Sequence, residues 1–145
     1  NYVWYLSHRK KDEELVIFHG GCYSPVKGKW FRKIIGGLER QPQRPEYAHW
    51  GDIDVGGFRM FIRLRKEIVP QLQPYLMDRF ALEQYRKAAM RITSPSYLKT
   101  LEKLEKDPEY ACFHEVIGKM LEEKIRLEQE AMIVFEPQGK WRTKS

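Results

Sequence analysis

The chain has 145 residues, 26 Lys and Arg against 20 Asp and Glu, two Cys and 42% apolar residues, a size that suits one domain able to bury roughly two-thirds of its unfolded surface without disulfide staples. Its 13% aromatic and 32% charged content excludes the disordered class, and apolar runs as short as Leu15–Phe18 exclude a membrane-spanning helix. No basic-apolar-small leader opens the chain, and Cys22 and Cys112 are too far apart for zinc spacing, so a soluble cytoplasmic domain is expected.

The net charge of +6 is unevenly spread. Residues 1–45 hold nine basic side chains (Arg9, Lys10, Lys11, Lys27, Lys29, Arg32, Lys33, Arg40, Arg44) against four acids, whereas residues 46–78 hold four against five. A basic rim beside an acid-bearing middle suits a polyanion held near a metal, because phosphates need cations and divalent metals need carboxylates. A solvated lysine-rich surface would give the same count.

In chain order, Tyr2–Leu6 open a short amphipathic helix that the charged run Arg9–Glu14 ends. Leu15–Phe18, stopped by Gly20 and Gly21, reads as a strand buried on both faces. Ser24 and Pro25 start a helix over 26–38 carrying Trp30, Phe31, Ile34 and Ile35. A Pro-, Gln- and Arg-rich loop, Arg40–Pro45, leads to a second strand, Tyr47–Ile53, and Gly56 and Gly57 open a helix over 57–68. Pro70 and Pro74 bracket the turn into a third strand, Tyr75–Met77. Strand and helix alternating in this way predict a parallel sheet with right-handed crossovers. From there on three helices are expected, over 80–91, 94–106 and 114–132, the second capped by Ser94 with Pro95 at its first position. The expected architecture is an α/β core over 1–78 with a helical segment, 79–145, packed on the same domain.

The chemistry centres on His49-Trp50-Gly51-Asp52-Ile53-Asp54-Val55-Gly56-Gly57-Phe58. In an extended segment, residues two apart face the same side, so Asp52 and Asp54 aim together while Ile53 turns away. Paired hard oxygen donors at a strand end suit Mg²⁺ or Mn²⁺. Two other roles compete: Asp54 as a helix N-cap, and Asp52 as the residue that holds the turn.

Residues 51–58 resemble the Gly-Asp-x-Asp-x-x-Gly motif of toprim domains in the topoisomerase VI A-subunit and meiotic break-forming lineage. Phe18-His19-Gly20-Gly21, Tyr47–Trp50, Phe58–Phe61, Leu76–Asp78 and Leu127–Glu130 follow in the order of one family. The chain is similar to the C-terminal toprim domain of the nuclease subunit of Wadjet-type SMC plasmid-defence systems. The resemblance implies a toprim-like, mainly parallel sheet flanked by helices, and divalent-metal-dependent cleavage of double-stranded DNA, with Asp52 and Asp54 holding Mg²⁺ or Mn²⁺. It also implies other subunits of a bacterial SMC-type complex as partners, a possible homodimer, and no membrane. The family's first strand ends in a glutamate that has no counterpart in this sequence, so a weak metal site and an inactive fragment are expected. A non-catalytic DNA- or partner-binding toprim module, or topoisomerase-VI-like strand breakage, is the alternative.

Lys27, Lys29, Arg32 and Lys33 form the best phosphate-contacting face, and Arg59, one turn past the motif, is a further DNA-binding candidate. His19, Gly21 and His49 are expected to support the site, the histidines more as hydrogen-bonding scaffold than as general base. Asp78 either joins the acidic cluster or caps the next helix. Glu128 and Glu130, read as helical neighbours two apart, point in different directions and suit salt bridges better than a shared metal. Tyr85 and Tyr97 show no pattern for a covalent nucleophile.

Overall fold

The computed structural model describes residues 14–21, 24–43 and 45–134. The helix expected over Tyr2–Leu6, together with Cys22 and Arg44, lies outside the described residues.

Four helix starts follow from short polar side chains that satisfy otherwise unpaired backbone N–H groups. Ser24 caps α1 (Pro25–Leu38), its hydroxyl accepting from Lys27 N at 3.3 Å. Asp54 caps α2 (Val55–Glu67), accepting from Gly57 N at 2.6 Å. Asp78 caps α3 (Arg79–Gln84), accepting from Ala81 N at 2.8 Å. Ser94 caps α4 (Pro95–Lys106), which again begins with Pro at its first position. A 3₁₀ turn over Pro108–Phe113 then leads into α5 (His114–Glu123).

The helices enclose one core. Phe58 and Phe61 of α2 pack on Phe113, with ring centroids 4.5 and 5.0 Å apart. Leu101 and Leu104 of α4 and Val116, Ile117 and Met120 of α5 complete this cluster. Each large side chain fully buried here is worth about 1.5–3 kcal/mol, so the contacts among α2, α4, α5 and Phe113 supply much of the core's stabilisation.

Sheet structure is sparse. β1 (Ala48–His49) pairs in parallel with β2 (Gln73–Pro74), and Tyr75 N donates to His49 O at 2.8 Å. The parallel neighbours expected around 47–53 and 75–77 are therefore present, but shorter and two residues earlier in the second segment. Leu76 explains the shortening: its φ of 51° is left-handed, which turns the chain out of the ladder before Asp78 starts α3. A second pair, β3 (Met90–Arg91) with β4 (Ile125–Arg126), is antiparallel. The mainly parallel sheet expected from the alternation is thus replaced by two two-stranded pieces in a helix-rich fold.

Three other expectations need correction. Leu15–Phe18 is not a strand: the segment is irregular, and Leu15, Ile17 and Phe18 are exposed. A continuous apolar run signals burial on both faces only when strands flank it, and no ladder forms there among the described residues. The helix expected over 80–91 stops at Gln84; Tyr85 leaves helical geometry, a 3₁₀ turn over Arg86–Ala88 follows, and β3 begins at Met90. The long helix expected over 114–132 breaks at Lys124, which adopts φ 53° and ψ 49°. That left-handed residue ends α5 and frees Ile125–Leu127 to run extended before α6 (Gln129–Val134). Lys124 N–H still bonds back to Met120 O, closing the last turn.

A non-glycine residue in the left-handed region costs about 1 kcal/mol. Lys124→Gly should therefore stabilise the protein by up to about 1 kcal/mol in a urea titration. A loss of stability would mean that the helix does not end there.

Candidate functional site

The site is built on one backbone bridge. Ile53 and Leu127, both fully buried, exchange two hydrogen bonds: Ile53 N to Leu127 O at 2.8 Å and Leu127 N to Ile53 O at 3.2 Å. The pairing is antiparallel. With these two side chains pointing into the core, alternation turns their neighbours to the opposite face. Antiparallel register then sets Asp52 across from Glu128, and Asp54 across from Arg126.

The second pairing is complementary. Arg126 Nη1 lies 3.5 Å from Asp54 Oδ2 and 3.1 Å from Glu128 Oε1. The first is not. One carboxylate oxygen from each of Asp52, Glu128 and Glu130 lies within 4.8 Å of the others. Burial raises the pKa of Asp52, and the Asp54 and Glu130 charges push the same way, against a backbone hydrogen bond from Gln129. Burial also raises Glu128, with Asp52 adding to the effect. Acids held this way keep their protons to higher pH unless a cation joins them.

Backbone fixes the acids in place. Gln129 N donates to Asp52 Oδ1 at 2.7 Å, and Gln129 Nε2 donates to Trp50 O at 3.3 Å. A Cβ on Gly57 would lie 2.1 Å from the Asp52 carbonyl oxygen, so the turn from Asp52 into α2 closes only with glycine at that position. The Tyr97 hydroxyl accepts from Val55 N at 3.0 Å, reaching the same turn from α4.

The expected site residues sort as follows. Asp52 lies in the carboxylate group, whereas Asp54 divides its oxygens between the cap of α2 and Arg126. Glu128 and Glu130 come together with Asp52, contrary to the expectation that they diverge; Glu128 precedes α6 on extended backbone, so helical spacing does not separate the pair. Asp78 is a helix cap with an exposed side chain. His49 is buried with no hydrogen-bond partner for Nε2. Burial lowers its pKa to about 3, so it stays neutral in the folded protein at physiological pH. His19 stacks on it at 5.3 Å and bonds Gly21 O through Nδ1 at 2.8 Å. Stacking and burial are what a scaffold role for this pair requires. Lys27, Lys29, Arg32 and Lys33 are all exposed on α1, and Arg59 is exposed on α2. The sequence reading missed Arg126 and the structural role of Tyr97. The alternation Ile125-Arg126-Leu127-Glu128 was the available signal for the first.

Hard carboxylate oxygens at this separation are the donor set that Mg²⁺ and Mn²⁺ accept. Fold and site together define a helix-rich α/β domain that displays an acid cluster on one bridged pair of extended segments. Comparison with known proteins is more specific. The family model described as Wadjet protein JetD, C-terminal, matches residues 1–137, and the chain belongs to that family. It is similar to "Wadjet protein JetD" of Bacillus cereus (strain Q1), with 32% identity over 131 residues, covering 90% of this chain and 31% of the relative. The chain therefore spans about a third of that protein's length. No solved structure matches it.

Burial and like-charge repulsion both work against ionised Asp52, while Asn at that position keeps an acceptor for Gln129 N–H. Asp52→Asn should accordingly stabilise the fold at neutral pH, by no more than about 1 kcal/mol because solvent screens the cluster. Thermal melts across a falling pH series check this: the gain should shrink as the pH falls, because burial and the neighbouring acids make Asp52 take up its proton earlier than an ordinary carboxyl, and a destabilised Asn variant at pH 7 would contradict it.

Proposed function

We propose that the full-length protein cleaves double-stranded DNA with a divalent metal held in this domain by Asp52, Glu128 and Glu130, together with the first-strand glutamate that the family resemblance implies and this sequence does not contain. The observation that carries this reading is the convergence of their carboxylate oxygens within 4.8 Å. Bound Mg²⁺ or Mn²⁺ would activate water and offset charge on the scissile phosphodiester. The chain's own contribution is positional. Gln129 N–H orients Asp52, and the Ile53–Leu127 bridge holds Glu128 opposite it. Asp54, anchored by Gly57 N–H, adds negative charge to the cluster while fixing the start of α2. This revises the expected pair of ligands: Asp52 remains the central one, and Asp54 acts from beside it.

Membership of the JetD C-terminal family supports the wider setting. In this reading the domain serves as the toprim nuclease part of a bacterial, cytoplasmic SMC-type complex that acts against plasmids, with DNA and the other subunits as partners. α1 supplies the electrostatic grip. It carries Lys27, Lys29, Arg32 and Lys33 and no acid over 14 residues.

Asp52→Ala in the full-length protein should abolish Mn²⁺-dependent DNA cleavage, with a loss of at least about 100-fold, while the circular dichroism spectrum is retained. Cleavage at the wild-type rate would overturn the assignment. If the variant still binds DNA as the wild type does, chemistry and binding reside in separate parts of the domain, as proposed.

Binding has its own test. Lys29→Glu with Arg32→Glu should weaken DNA binding and flatten its dependence on salt, because each neutralised phosphate contact contributes about 0.9 to the slope of log affinity against log salt concentration. An unchanged slope would mean that this face is only solvated.

A further inference from the structure

Arg126 is the one cation in contact with the acid cluster among the described residues, and its placement is unusual in three ways. It sits on β4, where its backbone is paired with Met90, so the start of its side chain is fixed. Its Nη1 is shared between Glu128 at 3.1 Å and Asp54 at 3.5 Å, both longer than the about 2.7–2.9 Å of a tight charge-assisted bond. Among the described residues, its Nε and Nη2 make no hydrogen bond to protein, and the side chain is 31% exposed. An arginine placed to serve as permanent structural glue would present its two-pronged face to a carboxylate. This one engages both carboxylates through a single nitrogen.

The charges make the arrangement conditional. The charges of Asp54 and Glu130 act on Asp52, and those of Asp52, Asp54 and Glu130 act on Glu128, and a single guanidinium offsets only part of this repulsion. A dication arriving among the same carboxylates would compete with the guanidinium for Glu128 and repel it at close range. Arginine has a long flexible stem, and here the side chain is partly exposed. Its fork is well matched to the paired oxygens of a phosphate.

We infer that Arg126 is a displaceable counter-cation, resting on Asp54 and Glu128 while the carboxylates hold no metal, and turning to a phosphate oxygen of DNA when they do. The inference rests on the reading that this cluster takes a divalent metal beside DNA. It assigns Arg126 two successive partners, so that metal loading switches on a phosphate-binding group. DNA affinity at the site then becomes dependent on the divalent ion for a reason separate from the charge of the ion itself.

The test uses full-length protein and two readouts that need no cleavage. Mn²⁺ binding without DNA is measured by calorimetry, and duplex DNA binding is measured with and without Ca²⁺. Arg126→Gln should bind Mn²⁺ about five- to tenfold more tightly, because a competing positive charge is gone. With Ca²⁺ present it should bind DNA about tenfold more weakly, and without divalent ion it should match the wild type. Arg126→Lys, which keeps the charge but not the fork, should show near-wild-type Mn²⁺ affinity and the same Ca²⁺-dependent loss of DNA binding; it decides the matter if the Gln variant does not fold. Weaker or unchanged Mn²⁺ binding by a folded Arg126→Gln protein overturns the inference, as does a DNA defect that is equal with and without Ca²⁺. A wild-type protein that takes up no Mn²⁺ overturns the metal reading itself, which separates that failure from this one.

Discussion

The pairing of Ile53 with Leu127 is the contact on which the site depends. It joins segments far apart in sequence; its flanking residues Asp54 and Arg126 are 72 positions apart. Closing so long a loop costs entropy but grows only slowly with length, and two fully buried aliphatic side chains offset it by about 3–6 kcal/mol in all. Once both point inward, the alternation of extended backbone leaves their neighbours no choice of face. The apolar core thus decides which polar side chains meet. A shift of one residue in this register would put Asp52 or Leu127 on the wrong side, so core packing and site geometry are under one constraint.

That constraint places acids where they are least comfortable. Asp52 opposite Glu128 is a like-charge cross-strand pair, an arrangement that destabilises a sheet unless something intervenes. The surroundings supply partial relief: a backbone N–H from Gln129 and the Arg126 guanidinium near Glu128. The raised pKa values of Asp52 and Glu128 show that relief to be incomplete. Structural ion pairs are usually arranged to satisfy their charges, and elsewhere in this chain they are, as in Arg86 with Glu123 and Lys119 with Glu122 and Glu123. Under the proposed function, the divalent ion supplies the positive charge that this cluster lacks.

Local signals in the sequence were read well, and non-local ones were not. Ser24-Pro25 and Ser94-Pro95 mark helix starts because the reason for each lies within four residues. The cap role of Asp54, one of the readings of the Asp-x-Asp motif, is legible for the same reason, and the structure shows it. Leu15–Phe18 failed because an apolar run says nothing about what covers it. The stretch from Lys124 to Glu130 failed because a few residues of alternating polarity sit beside a longer helical pattern, and no local feature announces a left-handed lysine. The partnership of Asp52 with Glu128 was out of reach for both reasons: it needed the helix break, and then the register of a bridge formed across the whole domain.

Gly57 shows how firmly the geometry is held once that register exists. The backbone of Asp52 approaches its Cα so closely that no side chain fits, so the main chain is packed against itself where Asp52 leads into α2. Asp54 closes the turn from within through Gly57 N–H, and Tyr97 closes it from outside through Val55 N–H. Asp52 therefore reaches the cluster on preorganised backbone, as a carboxylate must if binding a cation is not to cost further ordering. Arg126 also starts from a fixed backbone, but its guanidinium lies at the end of a long, partly exposed side chain. Under the proposed function and the inference drawn for Arg126, an anionic partner held by its backbone stands beside a cationic one held only at its base, which is the division of labour that a site accepting a cation and then a phosphate would use.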